Sequence, residues 1–380
     1  MARRIIFLIT DLDLGGCPLL LLRLVRELKA RGRFAPHVVS IKSPGPVARW
    51  IRMAGVEVTS LHASGAGDYR AALRWVNLLR TQRPQGVLSM LIHANLLAAA
   101  TAPVCPPCVY LQSLHTLQAF PAWHWPANSL LAGRCAGVLA PSRAILDRLG
   151  REGFTGPQFV VPNGIDVDLF ADARPPPADQ LPWPPGSTVI GYVGRFDPVK
   201  RLDALLRGFT RLLLTDYHRW RRVVLVLIGY GPMEPPLRRL AAELGIASHV
   251  AFPGPTAKPQ DWYKCIDIFI NPCNVEGFGL SVIEAMAAGV PVIARRGGAI
   301  SEIITHQVDG WLFDPSDFAA GSAGISAKAE ADSIFQSLSI LLSDAALRQH
   351  LAVGGRNRVV GRYTTDRMVD GYEHILEKNL

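Results

Sequence analysis

The sequence predicts an α/β protein made of two doubly wound, Rossmann-like parallel-sheet domains facing each other across a cleft. Three observations carry that expectation. Each half opens on the same plan, since RRIIFLITDLDLGG and STVIGYVGRFDPVKR both read as an apolar strand, a glycine-bearing turn and an amphipathic helix start. Between them the stretch ADARPPPADQLPWPPG, residues 171 to 186, is dense in proline and marks a stiff linker. The 380 residues, 49% of them hydrophobic, suffice for two cores. Domains are therefore expected at 1–170 and 187–360, with 361–380 forming a terminal helix.

Taken in order, Ile5 to Thr10 is a first strand, because its apolar run is too short for a signal peptide before Asp11 and Asp13 intervene. No apolar run approaches the ~20 residues that span a bilayer, so a cytoplasmic protein is expected. Gly15-Gly16 followed by Pro18 is a turn and a helix start, with proline suited to the first helical position. Amides there can receive an oxyanion, although a tight structural turn explains the glycines as well. His93 ends GVLSMLIH and His115 follows the apolar strand of CVYLQSLHT. A strand-end histidine either contacts a substrate or serves as a hydrogen-bonded core group, and its neighbours favour His115 for the first role.

In the second half Arg195 follows the strand VIGYVG and Lys200 opens the next helix. Two cations five residues apart suit a diphosphate. The stretch NPCNVEGFGLSVIEAMAAGVPVIARRGG (271–298) then reads as strand end, glycine turn, helix and strand, and ligands bind at such carboxyl strand ends. Gly277 and Gly279 let backbone approach a ligand, and the helix beginning beside them favours an anion. Carboxylates next to phosphate would repel it, so Glu276 and Glu284 are expected to face hydroxyl groups. Phosphate flanked by two sets of hydroxyls describes a nucleotide sugar. Solvated surface acids are the plain alternative.

The formal charge of +9 resides in the first half, where residues 1–170 hold 18 Lys or Arg against 9 Asp or Glu. The basic segments 19–34, 47–53 and 69–83 carry large apolar residues among the charges. Nucleic acid, an anionic membrane surface or an ordinary solvated helix face would each account for them. Phe120, Trp123 and Trp125 add aromatics of the kind found at membrane interfaces, or else core packing. Neither helix-turn-helix nor finger spacing is present, and no G-x-G-x-x-G supports a dehydrogenase. Cys105 and Cys108 have the spacing of a metal or redox pair without a second pair downstream, which leaves two small buried hydrophobes as the better reading. Asp11–Asp13 and Asp166–Asp168 match the D-x-D pattern of metal-dependent transferases.

The motifs GG near the start, SLHT, APS at 140–142, VVPNGIDVDLF, YVGRFDPVKR, LIGYGP and E-x7-E as EGFGLSVIE together resemble glycosyltransferase family 4, with the GT-B fold. The resemblance implies a retaining transferase that uses a nucleotide diphosphate sugar (UDP, GDP or ADP) as substrate and needs no cofactor or bound metal. It also implies that Gly15 and Gly16 bring amides to the donor phosphates, that Arg195 and Lys200 neutralise the diphosphate beside Gly194, and that Glu276 holds donor-sugar hydroxyls. Gly277, Phe278 and Gly279 would offer backbone nearby, Glu284 would hold the ribose, and His115 would lie at the reacting carbon. Cys17-Pro18-Leu19 replaces the acid and arginine common after GG in relatives, and Glu302 stands one residue later than usual. The resemblance also implies that 1–170 is the acceptor-side domain and 187–360 the nucleotide-sugar-binding one; the expected acceptor is a glycan or lipid-linked molecule at the inner face of a membrane, in polysaccharide or lipopolysaccharide synthesis. A nucleotide-sugar epimerase of similar fold is the rival enzyme, and nucleic acid is not an expected partner.

Overall fold

The computed structural model describes residues 2–65, 67–117, 122–318 and 326–380. The chain forms two compact units, one from Met1–Gly164 with Thr364–Leu380 and the other from Ile165–Tyr363.

The first unit alternates strand and helix: β1 (Arg3–Ile9), α1 (Gly16–Arg31), β2 (Phe34–Ser40), α2 (Pro46–Met53), β3 (Glu57–Ser60), α3 (Tyr69–Gln82), β4 (Gly86–Met90), α4 (Ile92–Thr101), β5 (Val109–Ser113), α5 (His124–Ala132), β6 (Gly137–Ala140), α6 (Arg143–Arg151) and β7 (Gln158–Val160). All seven strands pair in parallel in the order β3-β2-β1-β4-β5-β6-β7. Helices cover both faces, so Ile5 to Ile9 are buried without alternation, as parallel strands require. Strand order reverses between β1 and β4, which opens a crevice at their carboxyl ends.

The second unit contains α7 (Val167–Ala171), β8 (Thr188–Val193), α8 (Leu202–Thr215), α9 (Tyr217–Trp220), β9 (Val223–Ile228), α10 (Glu234–Glu243), β10 (Val250–Gly254), α11 (Pro259–Tyr263), β11 (Ile268–Asn271), α12 (Leu280–Ala287), β12 (Val292–Arg295), α13 (Ile300–Ile303), β13 (Trp311–Phe313), α14 (Ala327–Ser343) and α15 (Ala345–Arg362). Its six parallel strands run β10-β9-β8-β11-β12-β13, and the reversal lies between β8 and β11. Two parallel sheets with flanking helices are the expected fold class. Trp183 packs its ring against Trp262, centroids 6.2 Å apart, so part of the proline-rich stretch 171–186 is seated on this unit rather than spanning free.

After α15 the chain returns to the first unit as α16 (Thr365–Asn379). Thr364 caps it by accepting the Arg367 amide, and Met368, Val369, Tyr372 and Leu376 join the core beneath α1. Arg31 donates to Asp370 and Glu373, and Arg33 to Glu377. The basic end of segment 19–34 is therefore neutralised inside its own unit.

Local details differ from the sequence reading. Pro18 is the third residue of α1, not the first, and still falls where helix amides have no intrahelical acceptor. His93, expected at a strand tip, lies instead in the first turn of α4, three residues beyond the end of β4. Lys200 closes a short 3-10 turn, Pro198–Lys200, ahead of α8. Trp125 is 4% exposed in a core with Ile145 and Leu149, whereas Trp123 is 51% exposed, so only one of these two aromatics faces water. Phe120 lies outside the described residues. The Ala- and Ser-rich stretch is helical from Ala327, and residues 319–325 also lie outside the description. Cys105 and Cys108 pack, half-buried, against the core of α3 and α4.

Candidate active site

The second unit gathers its charged groups at the β8–β11 switch point. The chain leaves β8 through Gly194, whose φ of +152° only glycine adopts readily. Lys200 follows in the short turn, and Glu276 comes from the loop between β11 and α12. A backbone hydrogen bond from Asn274 to the Val199 carbonyl, 3.1 Å, ties the two loops together. Lys200 Nζ then lies 2.8 Å from Glu276 Oε2, with side chains 20% and 16% exposed. Burial works against the ammonium charge, but Glu276 and Cys273 more than offset it and hold the Lys200 pKa above its ordinary value. The same burial, with Glu276 nearby, pushes the Cys273 thiol up to about 12. Asn271, at the end of β11, points Nδ2 at Glu276 Oε2 at 3.5 Å while its Oδ1 accepts the Cys273 amide.

One residue beyond Lys200, Arg201 donates to Asp203 and Glu330, and Arg295 at the end of β12 donates to the same Glu330. Glu330 is nearly sealed from water, so this pair of arginines braces the Lys200 turn against α14. Arg195 is placed differently: its guanidinium lies 3.0 Å from Asp197 and is 62% exposed. It borders a hollow of about 530 Å³ with Tyr230, Gly231 and Arg238, at the carboxyl ends of β8 and β9. Tyr192 steadies this loop by donating to the Arg195 carbonyl at 2.9 Å. Lys200 and Glu276 are thus joined directly, whereas Arg195 is held by another acid.

Gly279 takes φ +103° at the start of α12, and a Cβ there would come 2.8 Å from Ile300. Phe278 is buried against the Tyr363 ring, which leaves its backbone rather than its side chain for any ligand. Gly277 precedes Phe278 in the same turn, directly after Glu276. Glu284 lies within α12, and Tyr263 from the end of α11 donates to its Oε2 at 3.0 Å. Burial first, and Glu284 second, raise the Tyr263 pKa well above its usual value, so this phenol remains a donor.

In the first unit Gly15 caps α1 with extended backbone, φ −177°, and a Cβ would meet only Pro18 at an ordinary 3.8 Å. The fold therefore has no steric need for glycine at position 15. Gly16 begins the helix itself. His115 stands two residues past β5, its Nε2 2.9 Å from Ser113 Oγ, and Ser113 lies 3.4 Å from the Tyr372 hydroxyl of α16. Burial lowers the His115 pKa from 6.5 to about 4, which keeps the imidazole neutral at physiological pH. Of the two D-x-D pairs, Asp11 faces Lys42 at 3.5 Å and Asp166 caps α7 by accepting the Leu169 amide.

Asn271, Tyr263, Tyr192 and Ser113 were not found by sequence reasoning. Asn271 carried a local signal only as the Asn-Pro stop of a strand; the others are brought in by packing.

The family described as Glycosyltransferase Family 4 matches residues 14–169, and that described as Glycosyl transferases group 1 matches residues 176–349. D-inositol 3-phosphate glycosyltransferase 2 of Catenulispora acidiphila is 36% identical over 173 residues, covering 43% of this chain and 40% of that protein. The chain thus spans about two fifths of the length of such curated relatives. Among solved structures, Anabaena Alr3699/HepE in complex with UDP and glucose superposes with a TM-score of 0.83 at 18% identity, covering 99% of each chain. The lipopolysaccharide outer core galactosyltransferase WaaB, in its apo form, superposes with a TM-score of 0.74 at 16% identity over the whole of both chains. With its two halves matched in turn and its two parallel sheets superposing on these structures, the chain belongs to glycosyltransferase family 4, the group 1 glycosyl transferases of GT-B fold.

Proposed function

We propose that the protein is a retaining glycosyltransferase that moves a hexose from a nucleotide diphosphate sugar, UDP-linked in the first instance, to a glycan or lipid-linked acceptor. The observation that carries this reading is the Lys200–Glu276 pair at the β8–β11 switch point, beside the Gly277–Gly279 turn. A half-buried cation and the amides at the start of α12 suit a diphosphate; Glu276 and Glu284, acceptors only, suit hydroxyls of the sugar and ribose. UDP is favoured over GDP or ADP because the Anabaena protein was solved with UDP and glucose.

The chemistry follows from charge. Breaking the bond from the anomeric carbon to the diphosphate oxygen builds negative charge on the leaving group, which Lys200, Arg195 and helix amides stabilise. The acceptor oxygen bonds that carbon on the face the leaving group vacates, and its proton passes to the departing phosphate oxygen. Neutral His115 donates or accepts one hydrogen bond at the sugar, held in place by Ser113. Gly15, a glycine the first unit does not need sterically, lets a ligand approach the amides of α1. Lys200, Arg195 and the helix amides supply the positive charge, so activity should survive a chelator.

Among the described residues no helix is long and apolar enough to cross a membrane. Trp50 and Met53, 42% and 75% exposed on α2 and each preceded by an arginine, Arg49 and Arg52, favour docking on an anionic membrane, in keeping with polysaccharide or lipopolysaccharide synthesis. The test is transfer from UDP-glucose or UDP-galactose to a lipid-linked saccharide with EDTA present, with the product anomer read by NMR. Retained configuration and unchanged rate are expected. Inversion, loss of activity in EDTA, or an epimerised nucleotide sugar formed without acceptor would each reject the assignment.

A further inference from the structure

A second cavity lies wholly within the first unit, at the carboxyl ends of β1, β2 and β3 and between α3 and α4. Its volume is about 580 Å³, within the ~300–1,000 Å³ typical of small-ligand sites. The hollow exists because small residues stand where a packed interface would carry large ones: Ala63 after β3, Ala71 and Ala72 in the first turn of α3, and Ala100 on α4. Leu96 and Leu97, one turn earlier on α4, supply an apolar wall, and Trp123 covers one side while remaining half in water. Outside it, α3 continues the apolar surface with Tyr69 and Leu73, 67% and 62% exposed, each followed by an arginine, Arg70 and Arg74.

One end is polar. Thr10, only 6% exposed, lines the cavity, and its hydroxyl has no hydrogen-bond partner among the described residues. A buried hydroxyl left unpaired is destabilising unless a ligand completes it. Beside it stands Lys42, 58% exposed and only loosely paired with Asp11 at 3.5 Å. Asp68, the acid in the lining, is already engaged by the Ser64 and Arg70 amides and the Ser64 hydroxyl, which hold its pKa below the ordinary carboxylate value. Lys42 is therefore the charge left to meet a ligand there.

The cavity also adjoins the His115 hollow. His93 lines the cavity and stands edge-on to His124, ring centroids 6.3 Å apart, while His124 and His115 line the neighbouring pocket.

We propose that this cavity holds the prenyl or acyl chain of a lipid phosphate acceptor, with the phosphate at Lys42 and an ester or hydroxyl oxygen on Thr10. The proposal rests on reading the first unit as the acceptor side, and it names the class of acceptor. It is tested by calorimetric titration of the full-length protein with decyl phosphate and farnesyl phosphate below their aggregation thresholds, against octyl glucoside and inorganic phosphate. Either amphiphilic phosphate should bind at least tenfold tighter than octyl glucoside or inorganic phosphate, and the tighter of the two distinguishes an acyl from a prenyl source. Ala100→Leu on the exposed face of α4, and independently Ala72→Leu, should weaken that binding at least tenfold by filling the hollow. Lys42→Ala should weaken the phosphates severalfold and leave octyl glucoside unchanged. UDP titration of the same samples shows whether each variant is folded and whether the donor reading stands by itself. Equal affinity for octyl glucoside and decyl phosphate, no binding of either amphiphilic phosphate, or undiminished binding by UDP-competent Ala100→Leu would overturn the proposal.

Discussion

Lys200 Nζ and Glu276 Oε2 form a 2.8 Å ion pair between two loops that meet at the β8–β11 switch point, and neither side chain is more than about a fifth exposed. The pair links donor chemistry to fold stability, because removing either partner strands a charge largely out of water. Lys200→Met should lower turnover of the nucleotide sugar at least ~100-fold, the scale of losing a fixed transition-state charge partner. It should also cost about 2 kcal/mol in denaturant unfolding, below the fully buried case because both groups keep some water contact. Adding Glu276→Gln should recover most of the stability and none of the turnover. Near-normal turnover in the single variant would remove Lys200 from the site.

Tyr263 positions Glu284 from outside the loop. Replacing it in Tyr263→Phe deletes the 3.0 Å bond to Oε2 without changing the packed ring. The expected result is a severalfold loss of UDP affinity by calorimetry and about 1 kcal/mol of stability. Glu284→Gln should weaken UDP further, and similar affinity for UDP in both variants and the parent would show that Glu284 does not hold the ribose.

His115 predicts a pH signature. Its pKa is 6.5 unperturbed and about 4 in the folded chain, so between these values the unfolded chain binds the extra proton. Its contribution to stability is therefore fully present above about pH 6.5 and is lost as pH falls toward 4, by about 2 kcal/mol after allowing for residual solvent contact. His115→Gln should flatten that part of the curve of Tm against pH. In the parent, kcat/KM should show no His115 limb above about pH 5. An activity limb near pH 6.5 that vanishes in His115→Gln would contradict a neutral buried imidazole.

Gly231 tests the Arg195 loop. A Cβ at this position would lie 2.6 Å from backbone atoms of Phe196, and one at Gly229 would collide with the Gly194 carbonyl. Gly231→Ala must therefore displace the segment carrying Arg195, which in turn moves away from its hollow. Donor affinity should fall more than in Arg195→Ala, measured by UDP titration, while Ala at Gly245, where nothing lies within 4 Å but φ is +71°, should cost stability alone.

How far the sequence could be read depends on where each signal is written. The β11–turn–α12 segment was legible because its cues are local: an isoleucine-rich strand, an Asn-Pro stop, and glycine where φ reaches +103°. Lys200 and Glu276 were both legible as candidates, but their mutual pairing across 76 residues was not. The neutralisation of Arg31 by α16 is still more remote, 339 residues away, and so the basic first half read as a larger charged face than the fold presents. Trp123 and Trp125 lie in one short stretch with opposite burial, a difference set by which side of α5 meets the core. The cavity beside Thr10 left no motif at all, since it arises from alanines on two helices that the sheet brings face to face.

The most direct test is a titration of the purified protein with UDP, GDP and ADP in EDTA, repeated with Lys200→Met. The account expects one diphosphate, UDP first, to bind without metal and to lose at least tenfold in affinity in the variant while the variant remains folded. Indifference of all three to the substitution, or binding by none, would contradict a donor site built on Lys200 and Glu276.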